Sequence, residues 1–404
     1  MTRFLHTGDW HLGRYLHGAS LLDDQAHLLQ QFVALARSEA VDAVVIAGDI
    51  FDRSVPPADA VTLLDEVLAK LVIEARIPVI AIAGNHDGAQ RIGFGGRIFS
   101  GQGLHLRGTL ADLSPILLQD EHGTVAFHAL PYVEPLHARA LPGGEAVDDH
   151  QSAMTHAVAL LRANARLGHR NVLVAHAFVT GGGESESERP LSVGGSGNVS
   201  ASTFDGFDFV ALGHLHRPQN IGSARIHYPG SLLKYSFNEA EHVKGVSLVE
   251  IGAGGEPLVR SIALNARRDL RVVSGTLADL LRSPDTAYSR DDYLCAHLSD
   301  EGPVLDPMAR LREVYPNMME IQFARSRTGN AAAPSDRGNR GDCGNGNDPG
   351  DHRRREPADL FRAFYRDMVG TELGDAALGV FNDSVRSVRS ASSASDNGTE
   401  RGAA

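Results

Sequence analysis

Eight polar side chains of the kinds that bind metal ions or move protons occur in five short motifs of this 404-residue chain. Carboxylate, imidazole and amide groups suit Mn²⁺, Fe²⁺, Zn²⁺ or Mg²⁺, and they do not suit a thiolate-selective ion such as Cu(I). The histidines also disfavour an all-oxygen Ca²⁺ site. The eight residues are Asp9, His11, Asp49, Asn85, His86, His176, His214 and His216.

These side chains outnumber the ligands that one ion needs, so we expect two divalent metal ions. A carboxylate commonly bridges such a pair, and ions about 3.5–4 Å apart activate water and clamp an in-line displacement at phosphorus. The set therefore predicts a metal-dependent phosphoesterase. A single Asp or His taken alone would be explained more simply as a cap or a packed residue, so the prediction depends on the five motifs occurring together.

Buried strands are needed to bring these motifs together, and four of the motifs follow apolar runs typical of such strands. Ligands of open α/β sheets bind beyond the carboxyl ends of the strands. We expect Asp9 and His11 to alternate on one strand end and to point to one face. The glycines before Asp9, Asp49, Asn85 and His214 allow close backbone approach. Strands are predicted at 3–7, 42–47, 78–83, 171–175 and 207–212.

Helical periodicity alternates with these strands, which indicates an α/β fold. Helices are predicted at 22–38 and 150–167, and a third begins at Pro57. The buried face of this third helix is predicted to carry Val61, Leu64, Leu68 and Leu71.

Shifts in composition predict five segments. Residues 1–265 form the main domain, and residues 269–325 follow with a β-α-β-α-β pattern typical of a small capping domain. Residues 326–356 are polar and Gly-rich, which predicts a disordered linker. Residues 357–373 form an amphipathic helix with aromatic side chains on one face. The Ser-rich tail, 384–404, is again predicted to be disordered.

The overall composition excludes several classes of protein. The net charge of −12 argues against a general nucleic-acid-binding protein, although bound cations can supply positive charge where a phosphate binds. The two cysteines, Cys295 and Cys343, are too few and too far apart for a disulfide framework. Neither a signal sequence nor a membrane span is predicted, so a cytoplasmic location is expected.

In their order and residue sequence, the motifs resemble the calcineurin-like metallophosphoesterase superfamily. Within it, they resemble the SbcD family of nuclease subunits, which act in bacterial double-strand-break repair. The resemblance covers about residues 1–325 and the helix at 357–373. It implies a metallophosphoesterase sandwich with a small α+β capping domain and a C-terminal docking helix. It is carried by Asp9-Trp10-His11-Leu12-Gly13, Gly48-Asp49-Ile50-Phe51-Asp52, Gly84-Asn85-His86-Asp87, the stretch 187–195, the stretch 211–219 and Tyr228-Pro229-Gly230-Ser231-Leu232.

The same resemblance implies a role for each of the eight residues. One metal would be held by Asp9, His11, Asp49 and His216, and the second by Asp49, Asn85, His176 and His214. Asp49 would bridge the two ions. His86 would bind neither ion and would act on the leaving oxygen, and Asp87 would orient His86.

The activity implied by the resemblance is Mn²⁺-dependent cleavage of double-stranded DNA ends and hairpins. The chain would work as a homodimer within a heterotetramer that contains an SbcC-type coiled-coil ATPase. Asp52 stands where many relatives carry a histidine, so no role for a histidine is transferred to that position. Two alternatives remain open: a small-molecule or cyclic-nucleotide phosphodiesterase of the same superfamily, and a non-catalytic scaffold.

Further polar residues have simpler interpretations. Arg53, Arg91 and Arg217 lie near the motifs, where they would either contact phosphates or form ordinary solvated pairs. The acidic residues of the loop at 181–200, including Glu188, are interpreted as solvated. His6, His17, His128 and His227 belong to no motif and are interpreted as structural.

Overall fold

The structure, a computed structural model, describes residues 1–166, 168–188, 197–282, 289–302 and 304–323, with a few positions between 358 and 386. Residues 1–327 form one compact unit and residues 328–404 a second, and each is described by itself. The predicted linker at 326–356 and nearly all of the tail at 384–404 lie outside the described residues, as do residues 189–196 of the loop.

Nineteen strands are assigned within the described part of the first unit, four of them only two residues long. They are β1 (Thr2–Thr7), β2 (Tyr15–Leu16), β3 (Ala19–Ser20), β4 (Ala43–Ala47), β5 (Val79–Ile82), β6 (Leu104–Arg107), β7 (Ile116–Asp120), β8 (Gly123–Leu130), β9 (Arg170–His176), β10 (Phe178–Val179), β11 (Asn198–Val199), β12 (Phe209–Gly213), β13 (Gln219–Ile221), β14 (Ser223–Tyr228), β15 (Gly245–Ile251), β16 (Pro257–Ala263), β17 (Leu270–Gly275), β18 (Tyr293–Leu298) and β19 (Met318–Phe323).

The helices of this unit lie between the strands. They are α1 (Leu22–Ser38), α2 (Ala58–Leu68, continued as a π-helical turn over Ala69–Glu74), α3 (Ala89–Ile92), α4 (Gly96–Phe99), α5 (Pro135–Arg139), α6 (His150–Asn164), α7 (Leu277–Arg282) and α8 (Pro307–Val314). Three short 3₁₀ turns occur at Ser100–Gln102, Ala201–Phe204 and Phe237–Glu239.

Two six-stranded sheets pack face to face. Their strand orders are β16-β15-β1-β4-β5-β6 and β13-β14-β12-β9-β8-β7. The centre of the first is parallel, with β4 between β1 and β5. The second is built likewise, with β9 parallel to β8 and β12. One apolar layer joins the sheets; it includes Phe4, Val45, Ile80, Phe127 and Phe209.

Alternation along the central strands gives each sheet a second apolar face. In β1 and β4, the side chains that point away from the other sheet pack with α1 and α2. They are Leu5, Val44 and Ile46. In β9 and β12, Leu173 and Leu212 pack with α6. Strands buried on both faces are typical of parallel sheets with helical layers, and they hold the carboxyl ends of the strands in place.

Residues 270–323 form the predicted β-α-β-α-β sequence of elements. Strands β17, β18 and β19 make a three-stranded parallel sheet around a small apolar cluster of their own. This sheet also contacts the main sandwich, because Leu270 and Tyr293 belong to the apolar cluster around α1. The hydroxyl of Tyr293 donates to Asp24, and Arg268 makes two hydrogen bonds to the same carboxylate.

The predicted strands and helices are confirmed with small shifts. The helix predicted to begin at Pro57 is α2, which begins after Pro57, its N-cap residue. Val61, predicted on its buried face, is instead 47% exposed, because the face that packs on the sheet carries Ala60 and Val67. The helix predicted at 150–167 is α6, which ends at Asn164.

In the second compact unit, Ala358, Phe361, Arg362 and Tyr365 are helical, as predicted, whereas Leu373, at the end of the predicted helix, is not, and the positions between them lie outside the described residues. The other aromatic positions of that helix lie outside the described residues. Residues 377–383 are also helical, and the ring of Phe361 stacks on that of Phe381 with centroids 4.1 Å apart. Phe361 therefore has a partner within its own unit, which the sequence pattern did not indicate.

Candidate metal centre

All five motifs lie beyond the carboxyl ends of central parallel strands of the two sheets. Asp9 follows β1, Asp49 follows β4, and Asn85 follows β5 in the first sheet. His176 ends β9 and His214 follows β12 in the second. Because the sheets pack face to face, these ends meet at one edge of the sandwich, where the eight predicted residues come together.

The backbone at this edge is more unusual than expected. Asp9, His11 and Asp49 have φ values of 52°, 44° and 47°, and His214 has a φ of 110°. Non-glycine residues rarely adopt such values, and they concentrate at functional sites. The predicted alternation of Asp9 and His11 along a strand is therefore wrong, because β1 ends at Thr7 and both residues lie in the loop that follows.

Hydrogen bonds between neighbouring loops hold these conformations. The amide of Asp9 donates to the carbonyl of Gly48 at 3.0 Å, and that of His11 donates to the carbonyl of Asp49 at 3.0 Å. A Cβ on Gly84 would lie 2.1 Å from Oδ1 of Asp49. The close packing of the first three motifs thus requires glycine at position 84.

One group of ligand atoms comes from Asp9, His11 and His216, and these atoms all lie within 4.8 Å of one another. Nε2 of His11 and Nε2 of His216 are 3.1 Å apart. Asp9 accepts the backbone amide of His214 at 3.0 and 3.1 Å on its two oxygens. All three side chains are buried.

A second group comes from Asp49, His176 and His214, again within 4.8 Å. Asn85 joins it, because its Oδ1 lies 2.9 Å from Nε2 of His176 and 3.2 Å from Nδ1 of His214. Nδ1 of His176 donates to the carbonyl of Ala47 at 2.9 Å. That bond places the proton on Nδ1 and directs the Nε2 lone pair into the group.

Asp49 lies between the two groups. Its Oδ2 is 3.4 Å from Nε2 of His176 and 3.8 Å from Nε2 of His11. Nε2 of His86 lies 4.0 Å from the same oxygen. The Nδ1 of His86 donates to the carbonyl of Asp52 at 2.9 Å, so Nε2 is the nitrogen that faces the centre.

Burial dominates the electrostatics of the centre. Burial raises the pKa of Asp9 well above its ordinary value and lowers the pKa of His214 to about 3. Burial also opposes charge on Asp49 and His176, yet their mutual attraction and hydrogen bond lower the pKa of Asp49 and raise the pKa of His176 to about 9. A cation bound at Nε2 of His176 would take the place of the second ring proton, because a ligand histidine must be neutral.

The residues fit a pair of divalent cations. Two buried imidazole nitrogens face each other at 3.1 Å, and at most one hydrogen can lie between them. Nδ1 of His11 is buried and has no hydrogen-bond partner among the described residues. Burial of several carboxylate and imidazole groups is costly without a compensating charge, which bound cations supply.

Sequence reasoning missed a set of residues behind His216. Oγ of Ser187 lies 2.6 Å from Nδ1 of His216 and donates to the carboxylate of Glu239. Nζ of Lys244 contacts the other oxygen of Glu239 at 2.5 Å and the carbonyl of His216 at 2.7 Å. Glu239 and Lys244 belong to no motif, and only a buried charge pair in the structure identifies them.

The interpretation of Glu188 as a solvated loop residue is wrong. Its Oε1 accepts the backbone amide of His216 at 2.6 Å. Burial raises the pKa of this carboxyl to about 7. The signal that could have located it was its place in the stretch 187–195, which carried part of the family resemblance.

The role expected for Asp87 is also wrong. Its carboxylate accepts the backbone amides of Ile50, Phe51 and Gly84 at 2.9–3.1 Å, so it organises two motif loops and does not orient His86. The carbonyl of Asp52 takes that position. The carboxylate of Asp52 lies 3.4 Å from Nη1 of Arg14.

The other predictions around the centre have mixed outcomes. All three arginines near the motifs are exposed. Nη2 of Arg53 lies 4.0 Å from the carboxylate of Asp52, and Nη1 of Arg91 donates to the carbonyl of Ser54 at 2.6 Å. His6 and His227 are buried in the sandwich, in agreement with a structural role. Among the residues that the structure describes, no helix is long and apolar enough to cross a membrane.

Comparisons with known proteins give two family matches. The model of calcineurin-like phosphoesterases matches residues 2–218, just over half of the chain. A model of the SbcD C-terminal region, described as the type 5 capsule protein repressor C-terminal domain, matches residues 266–369.

Solved structures similar to the chain include a dimetal phosphatase from Danio rerio, with 17% identity, a TM-score of 0.39, and coverage of 64% of this chain and 98% of that one. The TT1561 protein of Thermus thermophilus is 16% identical, with a TM-score of 0.37 and coverage of 64% and 98%. GAP50, the anchor in the inner membrane complex of Plasmodium, is 12% identical, with a TM-score of 0.33 and coverage of 82% and 99%.

Proposed function

The chain belongs to the calcineurin-like phosphoesterase family and is an SbcD-type metallophosphoesterase, and on that premise we propose that it is a Mn²⁺-dependent nuclease subunit acting on double-stranded DNA ends and hairpins. The observation that carries the proposal is the meeting of two ligand groups on either side of Asp49, with Nε2 of His86 facing the same carboxylate.

The two ligand groups would hold two ions. Asp9, His11, Asp49 and His216 would bind one, and Asp49, Asn85, His176 and His214 the other, with Asp49 shared. When bound, the ions lower the pKa of a water nucleophile and neutralise charge that develops on the phosphoryl oxygens.

His86 would supply a proton to the leaving oxygen. Its Nδ1 is already committed as a donor to the carbonyl of Asp52, so any proton that it transfers must reside on Nε2. A positioned general acid of this kind contributes about 10²–10⁴-fold to rate. The half-buried position of His86 leaves it accessible to a substrate.

Two exposed arginines support binding of a polyanionic substrate. Arg53 is 58% exposed and lies directly after the Asp49 motif, and the exposed Arg217 directly follows His216. Both guanidinium groups can bind phosphates that flank the scissile bond. In this proposal, residues 269–325 position the DNA as a capping domain, and the contacts of Arg268 and Tyr293 with Asp24 fix that domain to the main one.

The proposed partners are a second copy of this chain and an SbcC-type coiled-coil ATPase. Phe94 and Ile98 lie soon after the His86 motif and are 78% and 79% exposed, an apolar pair that supports a homodimer contact. The helix at 357–373 would dock on the ATPase. Because Phe361 also stacks on Phe381 within its own unit, Phe361 and Phe364 should be replaced together with Ala, and we expect this to weaken the complex by at least about tenfold.

A nuclease assay on labelled blunt and hairpin duplexes tests the proposal. The full chain should cleave both with Mn²⁺, more strongly with the ATPase and ATP, and should lose activity in a chelator. A chain that hydrolyses cyclic nucleotides efficiently but not duplex DNA would be the small-molecule phosphodiesterase considered above. A chain that binds no metal and cleaves neither substrate would be a scaffold.

A further inference from the structure

The metal ligand His216 is held at three separate atoms by side chains from outside its own strand and loop. Its backbone amide donates to Glu188 at 2.6 Å, and its backbone carbonyl accepts from Nζ of Lys244 at 2.7 Å. Its Nδ1 lies 2.6 Å from Oγ of Ser187. His216 itself is 1% exposed, so water cannot easily replace these partners.

The direction of the hydrogen bonds follows from the far end of this chain of contacts. Glu239 is fully buried, and its Oε2 lies 2.5 Å from the ammonium of Lys244, so its carboxylate can only accept hydrogen bonds. The hydroxyl of Ser187 must therefore donate to Glu239. Its oxygen is then left to accept the hydrogen on Nδ1 of His216.

This arrangement fixes the tautomer of the imidazole. With the hydrogen on Nδ1, the Nε2 lone pair is directed at His11 and the first ligand group, where Nε2 of His11 lies 3.1 Å away. Outer partners that fix the tautomer and the ring orientation of a histidine ligand generally set its affinity for metal.

We propose that Ser187 is a positioning residue that, with Glu239 and Lys244, presents Nε2 of His216 to the metal bound by the first ligand group. The inference rests on the ligand role proposed for His216. The hydroxyl of Ser187 thereby has a function, and its removal should affect the binding of only one of the two ions. The second group does not depend on Ser187, because its His176 is oriented by the backbone carbonyl of Ala47.

Titration of the metal-stripped full chain with Mn²⁺ tests this inference, with calorimetry for affinity and electron paramagnetic resonance for counting bound ions. Ser187→Ala should lower the affinity for one ion by about 10–100-fold, the usual cost of losing such a partner. The affinity for the other ion should stay within about threefold of the wild-type value. His216→Ala should affect the same ion. Ser187→Thr keeps a hydroxyl and should restore most of the affinity.

Ser185 provides a matched control in the same loop. Its side chain is also buried, but its hydroxyl has no hydrogen-bond partner among the described residues. Ser185→Ala should bind both ions like the wild type.

The outcomes separate the two proposals. A wild-type chain that binds fewer than two ions overturns the metal centre itself. A wild-type chain that binds two ions while Ser187→Ala titrates unchanged overturns only the role of Ser187. Equal weakening of both ions, or a Thr variant as weak as the Ala variant, also overturns it.

Discussion

The two halves of the metal centre differ in what holds their histidines. His176 donates to a backbone carbonyl of β4, a strand buried on both faces. His216 depends instead on Ser187, Glu239 and Lys244, side chains contributed by a loop and by segments near β15. The sheet backbone therefore orients His176, whereas a buried network of polar side chains orients His216.

This difference shows which part of the centre is sensitive to side-chain substitution. A backbone carbonyl inside a sheet cannot be removed by changing a side chain. A network of side chains can be broken one member at a time, and a partly satisfied network is costly because the remaining polar groups stay buried. Substitutions outside the ligands should therefore affect the His216 half far more than the His176 half.

The largest expected effect removes what the two halves share. Asp49→Asn keeps the shape of the side chain but not its charge. Both ions should be weakened, and hydrolysis should fall by at least about 10⁴-fold, because several kcal/mol of charge stabilisation is lost. Metal analysis and single-turnover cleavage measure this. Retention of two ions with near-normal cleavage would show that Asp49 does not bridge the halves.

His86→Ala should leave both halves intact and affect only the chemical step. We expect two bound ions, unchanged DNA affinity and a rate lower by about 10²–10⁴-fold. Metal content, DNA binding and turnover should be measured on the same preparation. Loss of an ion in this variant would mean that His86 is itself a ligand.

Lys244→Met should destabilise the fold and lower the affinity only for the ion bound in the half of the centre that contains His216. Removing one member of a buried ion pair costs about 3–5 kcal/mol, since Glu239 is left charged and buried. Urea unfolding in a chelator measures this cost. Arg282→Met, which breaks the exposed pair with Asp279, should change the free energy of unfolding by less than about 1 kcal/mol. Similar small changes for both variants would contradict a special role for the network.

Glu188→Gln should have the smallest effect. The amide oxygen can still accept the backbone amide of His216, so only the charge contribution to one hydrogen bond is lost. We expect the affinity for one ion to fall by at most about fivefold, equivalent to about 1 kcal/mol. Mn²⁺ titration measures it. A loss as large as that of Ser187→Ala would mean that the His216 backbone, and not its ring, limits binding.

The sequence was sufficient to predict which side chains come together, because four of the five motifs follow apolar runs and parallel strands bring their carboxyl ends to one edge. It did not predict the left-handed backbone of Asp9 and His11, since neither is a residue type that signals a positive φ as glycine does. It also did not predict the contact between Ser187 and Glu239, which are 52 residues apart in the sequence and meet only in the folded structure.

The expected orienting partner of His86 was wrong for a related reason. Adjacency in sequence favoured Asp87, but that carboxylate is occupied by three backbone amides. The actual partner is a carbonyl, and every residue has one, so no pattern of side chains can reveal it. Backbone acceptors at a site are accessible only from three-dimensional structure.

The left-handed conformations at Asp9, His11 and Asp49 have a consequence for attempts to improve the protein. Each holds a residue in a sparsely populated region, at a cost of about 1–3 kcal/mol. A selection that rewards thermostability alone would favour glycine at these positions and would thereby delete three of the proposed ligands. Heat-resistant descendants of this chain obtained without a screen for hydrolysis should therefore tend to be inactive, an example of the trade-off between stability and activity.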